Sequence, residues 1–262
     1  EDIMKLEDIM NFLEKKYNPE LAEKWDNSGL IIGRKGSNVS AVIICLDITD
    51  DVIEQAIAAR AELIISHHPL IFSEIKRITN DTVLGEKILK LAENKIAVYS
   101  IHTNADSAAH GLSDYILEKL SLGGKKSVWL KNESDPESGL GRILELKKED
   151  NVYNISKAVK EKLNLKNIRI AGNENKRVKR IAVLTGAGGS MIPEIDNTVD
   201  LYITGDLKHH ETLDALEAGL TLIDIGHYES ENIFSELIKK DLEEFFNGKI
   251  IQAKENQVFK II

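Results

Sequence analysis

Residues 41–68 read AVIICLDITDDVIEQAIAARAELIISHH, and the fold turns on this stretch. An apolar run rich in Val and Ile, Ala41–Ile48, is followed by a helical pattern near 50–60. A second apolar run, Leu63–Ile65, then stops at Ser66-His67-His68-Pro69. A short β-branched run, an amphipathic stretch and another short run make a β-α-β unit, hence parallel neighbouring strands with helices on the sheet faces. Working outward, Ile96–Ile101 is a third run of the same kind, with helical patterns near 82–94 and 111–120. Upstream, Leu6, Ile9, Met10 and Leu13 fall at i, i+3, i+4 and i+7, which predicts an N-terminal helix ended by Pro19. Trp25-Asp26-Asn27-Ser28-Gly29 is a turn-rich connection.

The second half repeats the rhythm. Gly123–Ser127 reads as a linker and Lys131–Gly141 as a polar loop, after which Asn151–Leu163 is helical. Strands are expected at Ile168–Ile170, Ile181–Leu184, Leu201–Thr204 and Leu222–Ile225. One long helix covers Ser230–Phe246, with Leu242, Phe245 and Phe246 facing inward, and Ile250–Gln252 and Val258–Ile261 close the chain as strands. Glu62–Ser66 echoes Asp200–Thr204, Val42–Cys45 echoes Ile181–Leu184, and Ser100–Asp106 echoes Ile225–Glu231. The expected class is therefore α/β, two related α/β domains with mixed sheets and an internal duplication. Domain I would take residues 1–125, completed by 230–262, and domain II residues 126–229.

Composition narrows the function classes. With 43 acidic and 34 basic residues among 262, the net charge of −9 argues against nucleic-acid binding through a general basic surface, though not against a local basic groove. No apolar run approaches the ~18 residues of a membrane helix. Cys45 is the only cysteine, which excludes an internal disulfide and a multi-thiolate metal site; mid-strand, it reads as core. The acidic, amphipathic first ten residues are the wrong chemistry for a secretory signal, so a soluble cytoplasmic protein is expected.

Histidines gather just beyond apolar runs: His67-His68, His102 with Asp106, Lys208-His209-His210, and His227 with Glu231; only His110 stands apart. Ligands bind at the carboxyl ends of strands in open α/β sheets. Taken singly, each histidine would cap a helix or fill a turn. Three histidine-bearing strand ends, two with a carboxylate at i+4, point instead to a metal site. Imidazole and carboxylate without thiolate suit catalytic Zn, Mn, Fe or Ni. His227 and Glu231 share one helix face if a helix starts near 227. His67 and His68 point apart from an extended strand, but from an irregular loop they can splay towards two metals with a carboxylate between them.

Five segments carry a family resemblance. Trp25-Asp26-Asn27-x-Gly29, Ser66-His67-His68-Pro69, His102-Thr-Asn-x-Asp106, Thr204-Gly205-Asp206-x-Lys208-His209-His210 and Gly226-His227-x-x-x-Glu231 resemble, in this order, the motifs of the dinuclear-metal-centre hexameric proteins. These are also called the Nif-three-like family or GTP cyclohydrolase I type 2 homologues. The resemblance runs from about Leu6 to Phe246 and is to the short form, without the domain that some members insert mid-chain. It implies five metal ligands, His67, His68, Asp106, His227 and Glu231, for two divalent ions per chain (Zn, Fe, Mn or Ni), with the two carboxylates as natural bridges. It also implies two related α/β domains and a toroidal homohexamer, a trimer of dimers, with metal sites facing a central cavity.

The remaining candidates stay open. His102 is not a standard ligand of the family; it is either a donor or proton shuttle beside the metals, or a capped turn. Lys208, His209 and His210 either bind a substrate phosphate or transfer a proton, or else form the exposed first turn of a helix. Thr185–Ser190 can cradle an anion, but a tight structural turn before a helix is the better reading, since it lacks the ending of a nucleotide P-loop. The leading expectation is a metal-dependent hydrolase that opens a purine nucleotide ring, with His102, His209 and Lys208 as candidate catalytic groups. The rivals are a two-metal phosphoesterase or nucleotide hydrolase and a non-catalytic hexameric metal-binding scaffold. The expected partner is a phosphorylated or nucleotide small molecule; a membrane is not expected.

Overall fold

The computed structural model describes residues 3–133 and 135–259. The chain divides into two units, residues 1–105 with 234–262 and residues 106–233. In the first unit β1 (Met4–Lys5) leads into α1 (Leu6–Lys16), whose buried face is Leu6, Ile9, Met10 and Leu13 as the periodicity predicts. There follow β2 (Gly29–Ile32), β3 (Asn38–Val39), β4 (Ala41–Cys45), α2 (Asp50–Ala59), β5 (Leu63–Ser66), α3 (Val83–Glu93) and β6 (Ala97–Ser100), and α4 (Thr103–Ser107) runs across the boundary into the second unit. Every residue of β4, β5 and β6 is buried, as strands covered on both faces must be. α2 starts where the Thr49 hydroxyl accepts from the Val52 N–H and Asp50 and Asp51 meet the positive end of the helix; it stops at Arg60, in the left-handed region at φ 55°.

The second unit opens with α5 (Leu112–Leu120), β7 (Gly124–Lys131), β8 (Gly139–Asn151), α6 (Val152–Lys162) and β9 (Arg169–Ala171). β10 (Arg177–Ala187), a 3-10 stretch at Gly188–Glu194, β11 (Leu201–Gly205), α7 (His209–Glu217), β12 (Thr221–Asp224) and α8 (His227–Glu231) complete it. The chain then returns to the first unit with α9 (Phe234–Leu242) and β13 (Lys249–Gln252).

The first unit's main sheet has the order β13-β4-β5-β6-β2, parallel except for the antiparallel edge β2. The second unit's order is β7-β8-β10-β11-β12-β9, with β10, β11 and β12 parallel and β9 antiparallel. Both sheets thus contain three consecutive parallel strands flanked by an antiparallel strand that precedes them in sequence. The echoes between segments fall on equivalent strands: Glu62–Ser66 on β5, Asp200–Thr204 on β11, Ser100 at the end of β6, Ile225 just past β12.

Four expectations change. Gly123–Ser127 is not a linker, because β7 begins at Gly124 and pairs antiparallel with the 13-residue β8, a hairpin that the charged stretch Lys147–Asp150 obscures in the sequence. The long helix over 230–246 is two helices, α8 and α9, broken at Asn232–Ile233, where the chain passes from one unit to the other. The first boundary falls between Ala105 and Asp106 rather than near 125, because α5 belongs with β8 and β10. Asp114 on α5 is tied to the buried Arg142 on β8, 2.8 Å from its Nη2. Finally, the expected strand at 258–261 is not seen at Val258–Phe259, and 260–261 lie outside the described residues. Among the described residues no helix is long and apolar enough to cross a membrane.

Candidate functional site

In the first unit the site residues follow from strand adjacency. β5 and β6 run parallel with Ser66 opposite Ser100, so whatever follows each strand emerges at one sheet edge. The Ser66 and Ser100 hydroxyls are 2.9 Å apart, and Ser66 Oγ donates to the His68 carbonyl at 2.8 Å. The His67 and His68 N–H groups donate to the Cys45 and Leu46 carbonyls, so the backbone carrying both rings is held in the sheet's extension. His67 is fully buried, with its ring 4.9 Å from that of Phe234.

Each imidazole is oriented through Nδ1. That of His67 lies 2.9 Å from the Ile101 carbonyl, that of His68 2.8 Å from Asp47 Oδ1, and that of His102 2.7 Å from Asp26 Oδ1. An acceptor on Nδ1 fixes the tautomer and leaves Nε2 as the coordinating nitrogen, the arrangement by which carboxylates and carbonyls orient metal-binding histidines. One ring nitrogen of each of His67, His68 and His102 lies within 4.8 Å of the others. His102 is therefore part of the imidazole cluster.

Asp26 is the anchor of this edge. Its Oδ1 accepts from the Asn27 N–H and faces His102; its Oδ2 accepts from Ser28 Oγ and from the N–H and Oγ1 of Thr103. Burial alone would raise its pKa, but the hydrogen bonds from His102, Thr103 and Ser28 outweigh it and hold the carboxyl well below the usual carboxylate range.

The second unit carries two carboxylates of its own beside a histidine. Asp106, on α4, is buried and accepts from Thr185 Oγ1 at 3.0 Å. On α8 the i, i+4 spacing brings His227 Nε2 to 2.9 Å from Glu231 Oε2, as the sequence spacing predicts. His227 Nδ1 lies 3.0 Å from Oδ2 of Asp206, a residue in the left-handed region at φ 53° just past β11. Gly186, at φ 71°, explains the glycine-rich stretch: a Cβ there would sit 2.2 Å from Glu231 Oε1, and its N–H donates to Ser230 Oγ at 2.8 Å. The turn makes room for a carboxylate and leads into a 3-10 stretch rather than the expected helix.

Lys208, His209 and His210 lie at the exposed start of α7, where Glu211 accepts from the Lys208 N–H at 2.6 Å. Lys208 and His209 line a cavity of about 340 Å³ together with Arg169, which pairs with Asp224. Cys45 is buried core, as expected, and burial pushes its thiol up. Sequence reasoning missed the orienting roles of Asp26, Asp47 and Asp206. Asp26 and Asp206 sit inside the motifs Trp25-Asp26-Asn27 and Thr204-Gly205-Asp206, whose match to the family carries a signal for them. Asp47 has none, since its pairing with His68 depends on β4 lying beside β5.

The family model described as Duf34/NIF3 (NGG1p interacting factor 3) matches residues 4–257. A Clostridium perfringens protein named GTP cyclohydrolase 1 type 2 homolog is 42% identical over 229 residues, 87% of this chain and 87% of its own length. A hypothetical protein of Staphylococcus aureus superposes with a TM-score of 0.90 at 27% identity, covering 100% of both chains. A Bacillus cereus protein related to NIF3 superposes with a TM-score of 0.92 at 24% identity, again over 100% of both chains.

Proposed function

The chain is a member of the Duf34/NIF3 (NGG1p interacting factor 3) family, and we propose that it is a metal-dependent hydrolase acting on a purine nucleotide. His67, His68, Asp106, His227 and Glu231 are the proposed ligands of two divalent ions. The observation that carries this reading is the common preparation of the histidines. His67, His68 and His227 each have Nδ1 against a carbonyl or carboxylate, which leaves Nε2 as the nitrogen available for coordination, that of His227 beside the carboxylate of Glu231. The donor set, imidazole and carboxylate without thiolate, fits Zn, Fe, Mn or Ni. Such ions, when bound, polarise a substrate oxygen and lower the pKa of water.

The protein's own residues do the rest. Asp47 and Asp206 hold the His68 and His227 rings in place, and Thr185 holds Asp106. His102, kept in one orientation by Asp26, is placed to exchange a proton beside His67 and His68. Lys208, His209 and Arg169 offer nitrogen donors suited to a phosphate. GTP as substrate draws its support from the name of the Clostridium perfringens relative. The assembly proposed is a homohexamer in the cytoplasm, a trimer of dimers.

Elemental analysis of protein purified without chelator tests the ligand set. About two first-row metal ions per chain are expected, with His68→Ala and Glu231→Ala folded but depleted of metal. Full metal content in both variants would refute the assignment. With metal-loaded protein, a change in purine absorbance supports ring opening, whereas release of phosphate or nucleoside monophosphate would assign the centre to phosphoester hydrolysis. Absence of turnover with every metal, together with a captured partner, would assign it to a scaffold.

A further inference from the structure

The imidazole edge of the first unit carries two large aromatic side chains in the open. Trp25 is 58% and Phe72 54% exposed, although their ring centroids lie 5.8 Å apart and each ring also meets His102, at 6.0 and 6.5 Å. His102 in turn lies 5.1 Å from His67 and 5.5 Å from His68, ring to ring. Singly exposed apolar side chains are ordinary, but here two rings lie in contact with each other, open to solvent and beside a cluster of imidazoles, a combination that offers a flat apolar face next to coordinating groups.

Their backbone is fixed. The five acceptor contacts of Asp26 tie the residue next to Trp25 to Asn27, Ser28, His102 and Thr103. Asn27 Nδ2 donates to the Ile71 carbonyl at 2.5 Å, which ties down the residue next to Phe72. The motif Trp25-Asp26-Asn27-Ser28 thus provides one ring and positions both, so little ordering remains to be done when a ligand arrives.

We propose that Trp25 and Phe72 are a stacking platform that holds the planar heteroaromatic ring of the substrate beside His67, His68 and His102. The proposal rests on the metal-hydrolase reading above for the role of those histidines. Trp25 and Phe72 already touch, at an interplanar angle of 50°, so the ligand ring packs on their exposed faces and does not slide between them. A cage for a cationic ligand presents bare carboxylates as well as rings. Here both Asp26 oxygens are hydrogen-bonded within the chain and Asp47 is bonded to His68, which favours a neutral ring.

The test uses metal-loaded protein carrying Trp129→Phe, which leaves Trp25 as the single tryptophan of the two in the chain. Trp25 fluorescence is titrated with GTP and guanosine; binding of tripolyphosphate and ribose 5-phosphate is measured by calorimetry. Ring-bearing ligands are expected to quench Trp25. Trp25→Ala and Phe72→Ala, followed by calorimetry, should weaken GTP and guanosine by roughly 5- to 100-fold, the usual range for losing one base-stacking ring. Tripolyphosphate binding, metal content and oligomer mass should stay as in the parent, and Trp25→Phe should restore most of the affinity.

No quenching by either ring-bearing ligand, an equal loss for tripolyphosphate, displacement of guanosine by tetramethylammonium, or a changed oligomer mass in the alanine variants would each overturn the proposal. The last would mean that the rings pack against a second copy. Ring-selective binding without turnover would refute the hydrolase reading and leave the platform standing; turnover with ring-independent binding would do the reverse.

Discussion

Asp26 shows how much one side chain can organise. Its side chain is buried and serves the Asn27 N–H and His102 on one oxygen and Ser28 and Thr103 on the other. An asparagine there has the same shape, but whichever way its amide turns, an NH₂ group faces at least one N–H or O–H donor. Asp26→Asn is expected to cost about 1–3 kcal/mol in urea unfolding, the range for leaving a buried donor unsatisfied, and to release His102 from its orientation. Gly186 is the counterpart in the second unit. Gly186→Ala brings a methyl group to 2.2 Å from Glu231 Oε1 and asks a non-glycine residue to hold φ 71°. The expected outcome is a folded protein, by circular dichroism, that is about 1–2 kcal/mol less stable and holds less metal per chain by elemental analysis.

Among elements, α5 and the β7–β8 hairpin depend on one buried ion cluster. Arg142 is 2% exposed and donates to the carbonyls of Gly139, Gly141 and Ala108 and to Asp114. Lys126 on β7 meets the other Asp114 oxygen at 2.6 Å. Removing one partner of such a pair strands the other charge, so Asp114→Ala is expected to cost about 3–5 kcal/mol, read from the denaturant midpoint at neutral pH. Burial would raise the Asp114 carboxyl, but hydrogen bonds from Arg142 and Lys126 prevail and hold it below the ordinary range. A depressed folded value means that the contribution is fully present above the unfolded value of about 3.9 and is lost as pH falls through the folded one. The wild-type minus variant difference should therefore be flat near neutrality and shrink in acid. The same cluster explains why α5 leaves the first unit. Nothing in its sequence separates it from the helices that cover the first sheet; its packing against β8, β10 and α6 and the buried guanidinium across from it do so.

For the whole molecule, the topology repeats but the chemistry does not. His102 and Asp106, beyond β6, occupy the positions that His227 and Glu231 occupy beyond β12. In the first unit the strand end adds the His67-His68 pair after β5, whereas in the second the equivalent β11 is followed by Asp206, which orients His227. One plan has thus been equipped mainly with imidazoles in one unit and with carboxylates and one imidazole in the other. The proposed homohexamer has a direct measurement. Light scattering on the eluting protein should report six copies of a 29.3 kDa chain, and a mass of one or two copies would remove that part of the proposal.

The sequence by itself determined the β-α-β rhythm, the buried face of α1, the i, i+4 pairing of His227 with Glu231 and the metal-suited donor types. These depend on neighbours within a turn of helix or a strand's length, and local periodicity records them directly. Only the tertiary structure decided that Asp47 orients His68, that Asp26 links the Trp25 segment to His102, and that Phe72 stands beside Trp25. It alone decided that Gly186 clears space for Glu231 and that α5 joins the second sheet. Those partners are brought together by strand adjacency, a property of the hydrogen-bonded ladder between segments distant in the chain. No local pattern of residues encodes which strand end will lie beside which.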